Sequence, residues 1–396
     1  MRHPEFVTYA GTKEAVFVAL EAGADHLILE DPSLSARSYV DACEGDAFDA
    51  LKQLVALALQ KKPRVRLSFN LDILVYENQF PLIDSLLVVL DQLSVSRIRV
   101  QDLGLAVYLR DRFPRLTLDY APEMGNHSPE SVKGFRDFFQ RQVLSNELPV
   151  KNLKQMVSLA GEAEIQVHGP ILIQYSRRRF QQIEHGEEER PLVHMVQDEL
   201  YPNRDYPVLD NTHGHFMYLY FDRCLLAYLP LMVDLGLSGW LFDGRGESFA
   251  YLTTAMQVYR QALNHYLQSP DNWQPNPEEM SLLASVARRP LKPGFFLVNR
   301  TDAVLKTKTQ RLNQKQRSFV GTVVSIEKGR RMVLALEQKI HLQDSVVMVT
   351  PDGREMPFQV AELMSLGNQP ISQASEGDLV QVPWQKGAIA QSMILQ

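Results

Sequence analysis

A histidine followed by a cluster of arginines is the part of this sequence with the clearest potential for chemistry. His168 follows a short predicted strand at 165–167, and a cationic run made of Arg177, Arg178 and Arg179 lies shortly downstream. A strand that ends at a histidine presents an imidazole at the rim of a pocket, where guanidinium groups beside it bind anions. The alternative is a hydrogen-bonded structural histidine beside a solvated basic turn. The sequence leaves both interpretations open.

The elements that position these residues form a repeating pattern. Short apolar or β-branched runs alternate with amphipathic segments, and they predict strands at 6–9, 26–29, 65–69, 97–100, 116–118, 142–144, 165–167 and 240–242. Alternating strands and helices of this length indicate parallel strands joined by right-handed crossovers. The pattern predicts an α/β fold, a (β/α)8 TIM-like barrel with an insertion at about 181–220. A doubly wound open sheet is the alternative.

Polar residues follow most of the predicted strands. Active sites of such barrels lie at the C-terminal ends of the strands, so we expect these residues to converge on one rim. They are Asn70, Asp102, Asp119, Glu147, His168 and Asp243. Capping the next helix is the alternative role for an Asp or Asn in this position.

Metal ligands are sparse. The insertion contains four histidines whose spacing fits no standard metal site, namely His185, His194, His213 and His215. The only two cysteines are Cys43 and Cys224, and they form no CxxC pair. We predict no metal site, and we expect Cys224 to be buried in a leucine-rich helix at 222–231.

Composition and periodicity define the domains. A chain of 396 residues with 45% hydrophobic and 22% charged residues is typical of a soluble protein with two domains. The formal charge of −6 argues against a protein that coats nucleic acid, but a local basic patch remains compatible with it. The N-terminus lacks the apolar core of a signal peptide and no run is long enough to span a bilayer, so we expect a cytoplasmic protein with no membrane contact.

We predict three regions: the barrel at 1–300, a basic linker at 301–317 and a small C-terminal β-barrel domain at 318–396, where apolar residues alternate with period two. The linker region contains five cations without an intervening acid, namely Lys306, Lys308, Arg311, Lys315 and Arg317. These residues form either a solvated linker or an arm that contacts phosphate.

Several motifs together resemble the U32 peptidase family, the collagenase-like peptidases. The matching elements are Glu21-Ala22-Gly23-Ala24-Asp25, Asn70, Asp102 with Gly104, Glu147-Leu148, the stretch from His168-Gly169 to Tyr175-Ser176, and Asp243-Gly244-Arg245. One departure is Asn146, which stands where the family has an arginine. The C-terminal β-domain is similar to one found in longer members.

The resemblance implies a function other than proteolysis. Better-studied relatives hydroxylate RNA bases, notably the wobble uridine of tRNA, or ubiquinone precursors. They hold an iron-sulfur cluster with four cysteines, and prephenate is implicated as the oxygen source in the RNA branch. Leu172 and Arg179 occupy two of the cysteine positions here, the third would fall within the cysteine-free stretch 181–205, and only Cys224 matches the fourth. Because leucine and arginine supply no thiolate, we expect a cluster-less member.

Three functions are therefore under consideration. The first is an RNA-modification factor acting in 5-hydroxyuridine formation, which binds tRNA and partners a cluster-bearing U32 paralogue. The resemblance implies prephenate as a possible ligand of this factor. The candidates for binding the ligand are Asn70, Asp102, Glu147, His168, Tyr175, Asp243 and Arg245. The candidates for contacting RNA are the three arginines at 177–179 and the five linker cations. The second is a peptidase, although no HExxH or GxSxG motif exists. The third is a non-catalytic scaffold that binds an active paralogue or RNA.

Overall fold

The computed structural model describes residues 3–39, 48–179, 192–198, 201–299, 318–351 and 353–396, with the backbone alone described at 198 and 201–203. The chain divides into two compact units, Met1–Asn299 and Arg300–Gln396. The first unit contains the barrel, and the second contains the β-domain. The five linker cations predicted to contact RNA lie outside the described residues.

Eight parallel strands close into a barrel in the first unit. They are β1 (Glu5–Ala10), β2 (His26–Leu29), β3 (Arg66–Leu71), β4 (Arg97–Val100), β5 (Thr117–Tyr120), β6 (Arg141–Val143), β7 (Glu162–Ser176) and β11 (Gly239–Phe242). Each strand pairs with the next along the chain, and β11 pairs with both β7 and β1, which closes the sheet. The predicted TIM-like barrel is confirmed, and each predicted strand overlaps an observed one.

Helices connect the strands and cover the barrel. They are α1 (Lys13–Glu21), α2 (Asp49–Lys61), α3 (Phe80–Gln92), α4 (Leu103–Arg112), α5 (Pro129–Phe135), α6 (Val150–Leu159), α7 (Leu229–Asp234), α8 (Phe249–Gln268) and α9 (Pro277–Val286). Side chains cap the N-termini of several helices. The Thr12 side chain accepts a hydrogen bond from the Ala15 amide, Asp102 accepts from the Leu105 amide, and Ser248 accepts from the Tyr251 amide. No helix in the described part of the chain combines the length and apolarity needed to cross a membrane.

Strand β7 is much longer than the three-residue strand predicted at 165–167. It runs for 15 residues through Gly169 and Pro170, where the sequence indicates a turn. Its first half pairs in parallel with β6 and β11, and its second half pairs antiparallel with β10 (Gly214–Cys224). The prediction was wrong here because β10 comes from the insertion, and no local pattern reveals a partner so distant in sequence.

The described part of the insertion extends the barrel sheet. Strands β8 (Leu192–Asp198) and β9 (Tyr201–Asn211) continue outward from β10 as antiparallel neighbours, and β12 (Leu291–Lys292) pairs with β10. Cys224 ends β10 and is 4% exposed. The residue is buried as predicted, but it lies at a strand end, before the 3-10 turn Leu226–Tyr228, and not in a helix.

Charged side chains fill the N-terminal half of the barrel interior, where many barrels have aliphatic layers. Arg141 donates to Glu5, Glu162 and Glu164, and Arg97 donates twice to Asp119 at 2.7 Å. Asp119, predicted to lie on the active rim, is therefore part of this internal ion-pair layer. These pairs satisfy charges that burial would otherwise penalise.

The second unit is an antiparallel half-barrel sheet, as expected for the predicted C-terminal β-domain. Its strands are β13 (Phe319–Glu327), β14 (Arg331–Leu336), β15 (Ile340–His341), β16 (Ser345–Val349), β17 (Glu355–Gln359), β18 (Met364–Ser365), β19 (Gln373–Ala374), β20 (Leu379–Pro383) and β21 (Met393–Leu395). Seven of them form one sheet in the order β17-β16-β21-β13-β14-β20-β18, and β15 pairs with β19. Alternating burial along β14 and β16 matches the period-two pattern of the sequence.

Candidate active site

A small cavity of about 60 Å³ opens at the C-terminal end of the barrel. Its walls come from the segments that follow β5 and β6, residues 121–125 and 143–147, together with Asp72 after β3. Tyr9, Arg99 and Gln166 contribute from the strands β1, β4 and β7 themselves. The cavity thus occupies the position at which barrels of this type hold their ligands.

Arg99 is the cationic group of this cavity with donors to spare. Its side chain is 0% exposed, and its Nη2 donates to Glu164 Oε1 at 2.9 Å. Its Nε and Nη1 have no hydrogen-bond partner within the described part of the chain. Burial disfavours the charged form, but the Glu164 carboxylate outweighs it and raises the pKa of Arg99. A permanently charged guanidinium with unused N–H groups is suited to a carboxylate or phosphate.

A second group of charges at the same end of the barrel is internally neutralised. Arg245 donates to Asp243 at 2.8 Å and to Glu30 at 3.0 Å, and its guanidinium lies 3.4 Å from the centre of the Tyr9 ring. Arg37 donates to Asp243 at 3.0 Å and to Glu123 at 2.6 Å. We call these five charged residues the mouth network. Its two arginines already have carboxylate partners, so they are less available to an external anion than Arg99.

The carboxyls of the mouth network differ in their titration. Burial alone would raise the pKa of Asp243, but Arg245 and Arg37 outweigh it and hold that pKa far below its ordinary value. Burial raises the pKa of Glu30 to about 7, against the opposing effect of Arg245. Glu30 is therefore far closer to its protonated form at neutral pH than Asp243, which stays ionised.

Three of the predicted ligand-binding residues come together in or beside this network. Asn70, on β3, donates from Nδ2 to Glu30 Oε1 at 3.2 Å, and its buried Oδ1 has no partner among the described residues. Asp243 and Arg245 are members of the network itself. Glu147 lines the cavity from its other side, where its carboxylate lies 3.2 Å from His127 Nε2.

Two predicted site residues have structural roles. Asp102 caps α4 by accepting from the Leu105 amide at 3.0 Å, which is the alternative that its sequence position allowed. His168 does not lie at the rim. Its ring packs against the rings of Tyr251 and Tyr259 of α8, with 5.0 and 5.7 Å between the ring centres. A pairing irregularity between β7 and β11 turns it outward, while Gln166 faces the cavity. Burial lowers the pKa of His168 to about 3, so its ring is neutral at physiological pH.

Tyr175 lies at the end of β7, and the three predicted RNA-contact arginines at 177–179 follow that strand directly. Tyr175 stacks on Phe216, with 4.8 Å between ring centres. Arg177 donates to the Thr212 carbonyl at 3.3 Å, and its guanidinium lies 5.0 Å from the centre of the Tyr76 ring. Arg178 is exposed and Arg179 is half-buried. This arrangement does not test whether these arginines contact RNA, so that role stays a prediction.

Several residues that line or support the cavity were not predicted from the sequence. Arg99 stands in an Arg-Ile-Arg-Val strand, whose alternation places both arginines on one face, and this pattern was available from the sequence. Arg223, on β10, is fully buried and donates to Asn146 Oδ1 at 2.6 Å. Asn146 in turn donates to Gln166 Oε1 at 2.9 Å. This chain of contacts fixes two cavity residues, and only the tertiary structure reveals it.

The model of Peptidase family U32 matches residues 11–306. The chain belongs to peptidase family U32. Its relatives include tRNA hydroxylation protein P of Escherichia coli (strain K12), which is 21% identical over 308 residues; the match covers 64% of this chain and 67% of the relative.

Two further relatives come from Bacillus subtilis (strain 168). tRNA hydroxylation protein P1 is 22% identical over 310 residues, covering 74% of this chain and 71% of the relative. tRNA hydroxylation protein P2 is 21% identical over 312 residues, covering 75% of this chain and 98% of the relative. The solved U32 peptidase Mk0906 is 12% identical, with a TM-score of 0.36 over 43% of this chain and 70% of its own.

The residues of this U32 chain do not fit the cluster that its family resemblance implies. Leu172, at one of the cysteine positions, is a buried apolar wall of the cavity. Cys224 accepts a hydrogen bond from the Tyr259 hydroxyl at 3.6 Å, and burial raises the pKa of its thiol. Within the described residues, no group of three or more His, Cys, Asp or Glu side chains is arranged to hold a metal ion. Cys43 lies outside the described residues.

Proposed function

We propose that this U32 protein acts in tRNA modification, in the formation of 5-hydroxyuridine at the wobble position, as a cluster-less subunit that binds a small carboxylic acid. The observation that carries the proposal is Arg99, a buried guanidinium in the cavity wall whose Nε and Nη1 have no hydrogen-bond partner among the described residues. Three curated relatives named tRNA hydroxylation proteins support the choice of reaction.

Arg99 determines which class of ligand the cavity can bind. A carboxylate that accepts from its Nε and Nη1 forms charge-assisted hydrogen bonds in a water-poor site, where they are stronger than in solvent. Two further groups lie at the same end of the barrel: the Asn70 amide oxygen, which has no partner among the described residues, and the Glu30 carboxyl, with a pKa of about 7. Prephenate, a carboxylic acid implied by the family resemblance, is the ligand we propose. One of its carboxylates would enter the cavity, which is too small for the whole molecule, and the rest would lie at the cavity opening.

The partner role rests on what the chain lacks. Hydroxylation by the family's route requires a cluster, and Leu172 and Arg179 supply no ligand for one. We therefore place the redox chemistry in a cluster-bearing U32 paralogue and substrate or ligand binding in this chain. A tagged chain expressed at its native level should co-purify with such a paralogue, with iron in the complex but not in the isolated chain. A stoichiometric cluster in the isolated chain, or purification without any paralogue, contradicts the partner role.

Ligand binding has its own test, which is calorimetric titration with prephenate. Arg99→Met should weaken binding at least about tenfold, because a charged hydrogen bond contributes roughly 1.5–3 kcal/mol. Arg99→Lys should retain part of the affinity. The matched control is Arg115→Met, an exposed arginine on the loop that precedes β5, at the opposite end of the barrel. Equal loss in both methionine variants would exclude Arg99 as the binding group.

The geometry does not support the alternative of a peptidase. Cysteine proteolysis requires a thiolate activated by a base. Cys224 is buried, its pKa is raised, and its hydrogen-bond partner is a tyrosine hydroxyl. Assays on gelatin and casein, with Cys224→Ala as control, are expected to show no cleavage.

A further inference from the structure

Tyr76 exposes an aromatic ring at the C-terminal end of the barrel. It lies in the loop between β3 and α3 and is 58% exposed. The Arg177 guanidinium, 5.0 Å from the ring centre, lies over it. An exposed tyrosine backed by an arginine is an arrangement that proteins use to stack unpaired nucleobases, because every base has a π face and guanidinium groups add a cation–π contribution.

The loop that carries this ring begins at the cavity. Asp72, directly after β3, lines the cavity, and Tyr76 follows on the same loop. Arg177, whose guanidinium lies over the ring, directly follows β7, and Gln166 and Leu172 of that strand also line the cavity. The ring and part of the cavity wall are therefore carried by the same two segments at this end of the barrel.

The loop that carries Tyr76 is held from both sides. The Tyr76 amide donates to Gln79 Oε1 at 2.9 Å, and its carbonyl accepts from the Gln79 amide at 2.9 Å. The preceding amide, of Val75, donates to Asp102 Oδ2 at 3.3 Å, so the carboxylate that caps α4 also positions this loop. A ring on a fixed loop loses little conformational entropy on binding.

We propose that Tyr76 and Arg177 form a stacking platform for an unpaired nucleobase of RNA at the barrel mouth. The proposal rests on the proposed tRNA-modification function and adds the group that recognises the RNA. The cation behind the ring and the neighbouring Arg178 favour a polyanionic nucleic acid over an apolar protein segment. The phosphates that flank the stacked base then lie near these arginines.

The test is fluorescence anisotropy with a labelled anticodon stem-loop RNA that has uridine at the wobble position, at fixed salt. Tyr76→Ala should weaken binding roughly tenfold, and Tyr76→Phe, which keeps the π face, by no more than about twofold. Arg177→Gln should weaken it severalfold. The matched control is Phe17→Ala: Phe17, on α1, is 43% exposed and has Lys61 Nζ 4.5 Å from its ring centre.

The outcomes separate the two proposals. If the wild-type protein binds the RNA and Tyr76→Ala binds equally well, the platform is excluded while the proposed function stands. If Phe17→Ala loses as much affinity as Tyr76→Ala, stacking at this site is also excluded. If the wild-type protein binds no RNA, either alone or with its cluster-bearing partner, both proposals fail.

Discussion

Arg99 and Glu164 form an ion pair inside the barrel, with 2.9 Å between Nη2 and Oε1 and both side chains fully buried. Arg141 approaches the other oxygen of the same carboxylate at 3.1 Å. Glu164 thus has two guanidinium partners, whereas Arg99 donates from Nη2 to Glu164 and its Nε and Nη1 have no partner among the described residues. This sharing links the stability of the barrel to a residue that lines the cavity.

Replacing Arg99 and replacing Glu164 should destabilise the protein by different amounts. Arg99→Met leaves Glu164 with Arg141, so we expect a loss of about 1–3 kcal/mol in the free energy of unfolding. Glu164→Gln leaves two buried guanidinium groups without their shared carboxylate, and a loss of about 3–5 kcal/mol is expected. Urea denaturation measures both. The reverse order would contradict the shared ion pair.

His168 should make stability depend on pH. Burial lowers its pKa to about 3 in the folded state, while the ordinary value is 6.5. Below pH 6.5 the unfolded chain binds a proton that the folded chain does not, so stability is lost as pH falls from 6.5 towards 3, by up to about 1.4 kcal/mol per pH unit. Between pH 7.5 and 5.5, the wild type should lose about 1 kcal/mol more than His168→Phe. Identical losses would mean that the imidazole is accessible to protons.

Gly169 should be essential to the close contact between β7 and the residue after β11. Its φ is +119°, and a Cβ there would lie 2.2 Å from the Asp243 carbonyl oxygen. Strained backbone and overpacking together predict that Gly169→Ala costs about 3 kcal/mol or more. Gly134→Ala is the control, because this α5 glycine has no atom within 4 Å of an added Cβ, and it should stabilise by about 0.5–1 kcal/mol. Similar effects in the two variants would refute the contact.

Cys224 should be inert towards thiol reagents and iron. In a Cys43→Ser background the folded protein should react with a thiol reagent far more slowly than the urea-unfolded protein, since the buried thiol has a raised pKa. Anaerobic reconstitution of the wild type with iron and sulfide should leave iron far below one atom per chain. Labelling at the rate of the unfolded protein would place this thiol at the surface.

Local patterns predicted the framework of the fold well. Largely apolar runs such as 26–29 and 240–242 marked barrel strands, because parallel strands are buried on both faces. The exception was β7, whose second half is defined by pairing with β10, some fifty residues further along the chain. Period two likewise predicted the strands of the C-terminal β-domain from residue 319 onward.

The site was less accessible to sequence analysis. Asn70 and Asp243 were recognisable as polar residues after predicted strands, and Arg245 was a candidate from the family resemblance. The structure brings the three together. His168 was expected at the rim, but a pairing irregularity turns it towards α8, and no sequence pattern encodes such a bulge reliably. The contact between Arg223 and Asn146 joins residues 77 positions apart, so it too appears only in the folded chain.

The most direct test of the account is mass spectrometry of tRNA nucleosides from a strain in which this gene is deleted and all paralogues are intact. We predict that hydroxylated wobble uridine falls, returns with the wild-type gene, and does not return with Arg99→Met expressed at the same level. Complementation by Arg115→Met should be complete. An unchanged nucleoside profile in the deletion strain would contradict the role in tRNA modification.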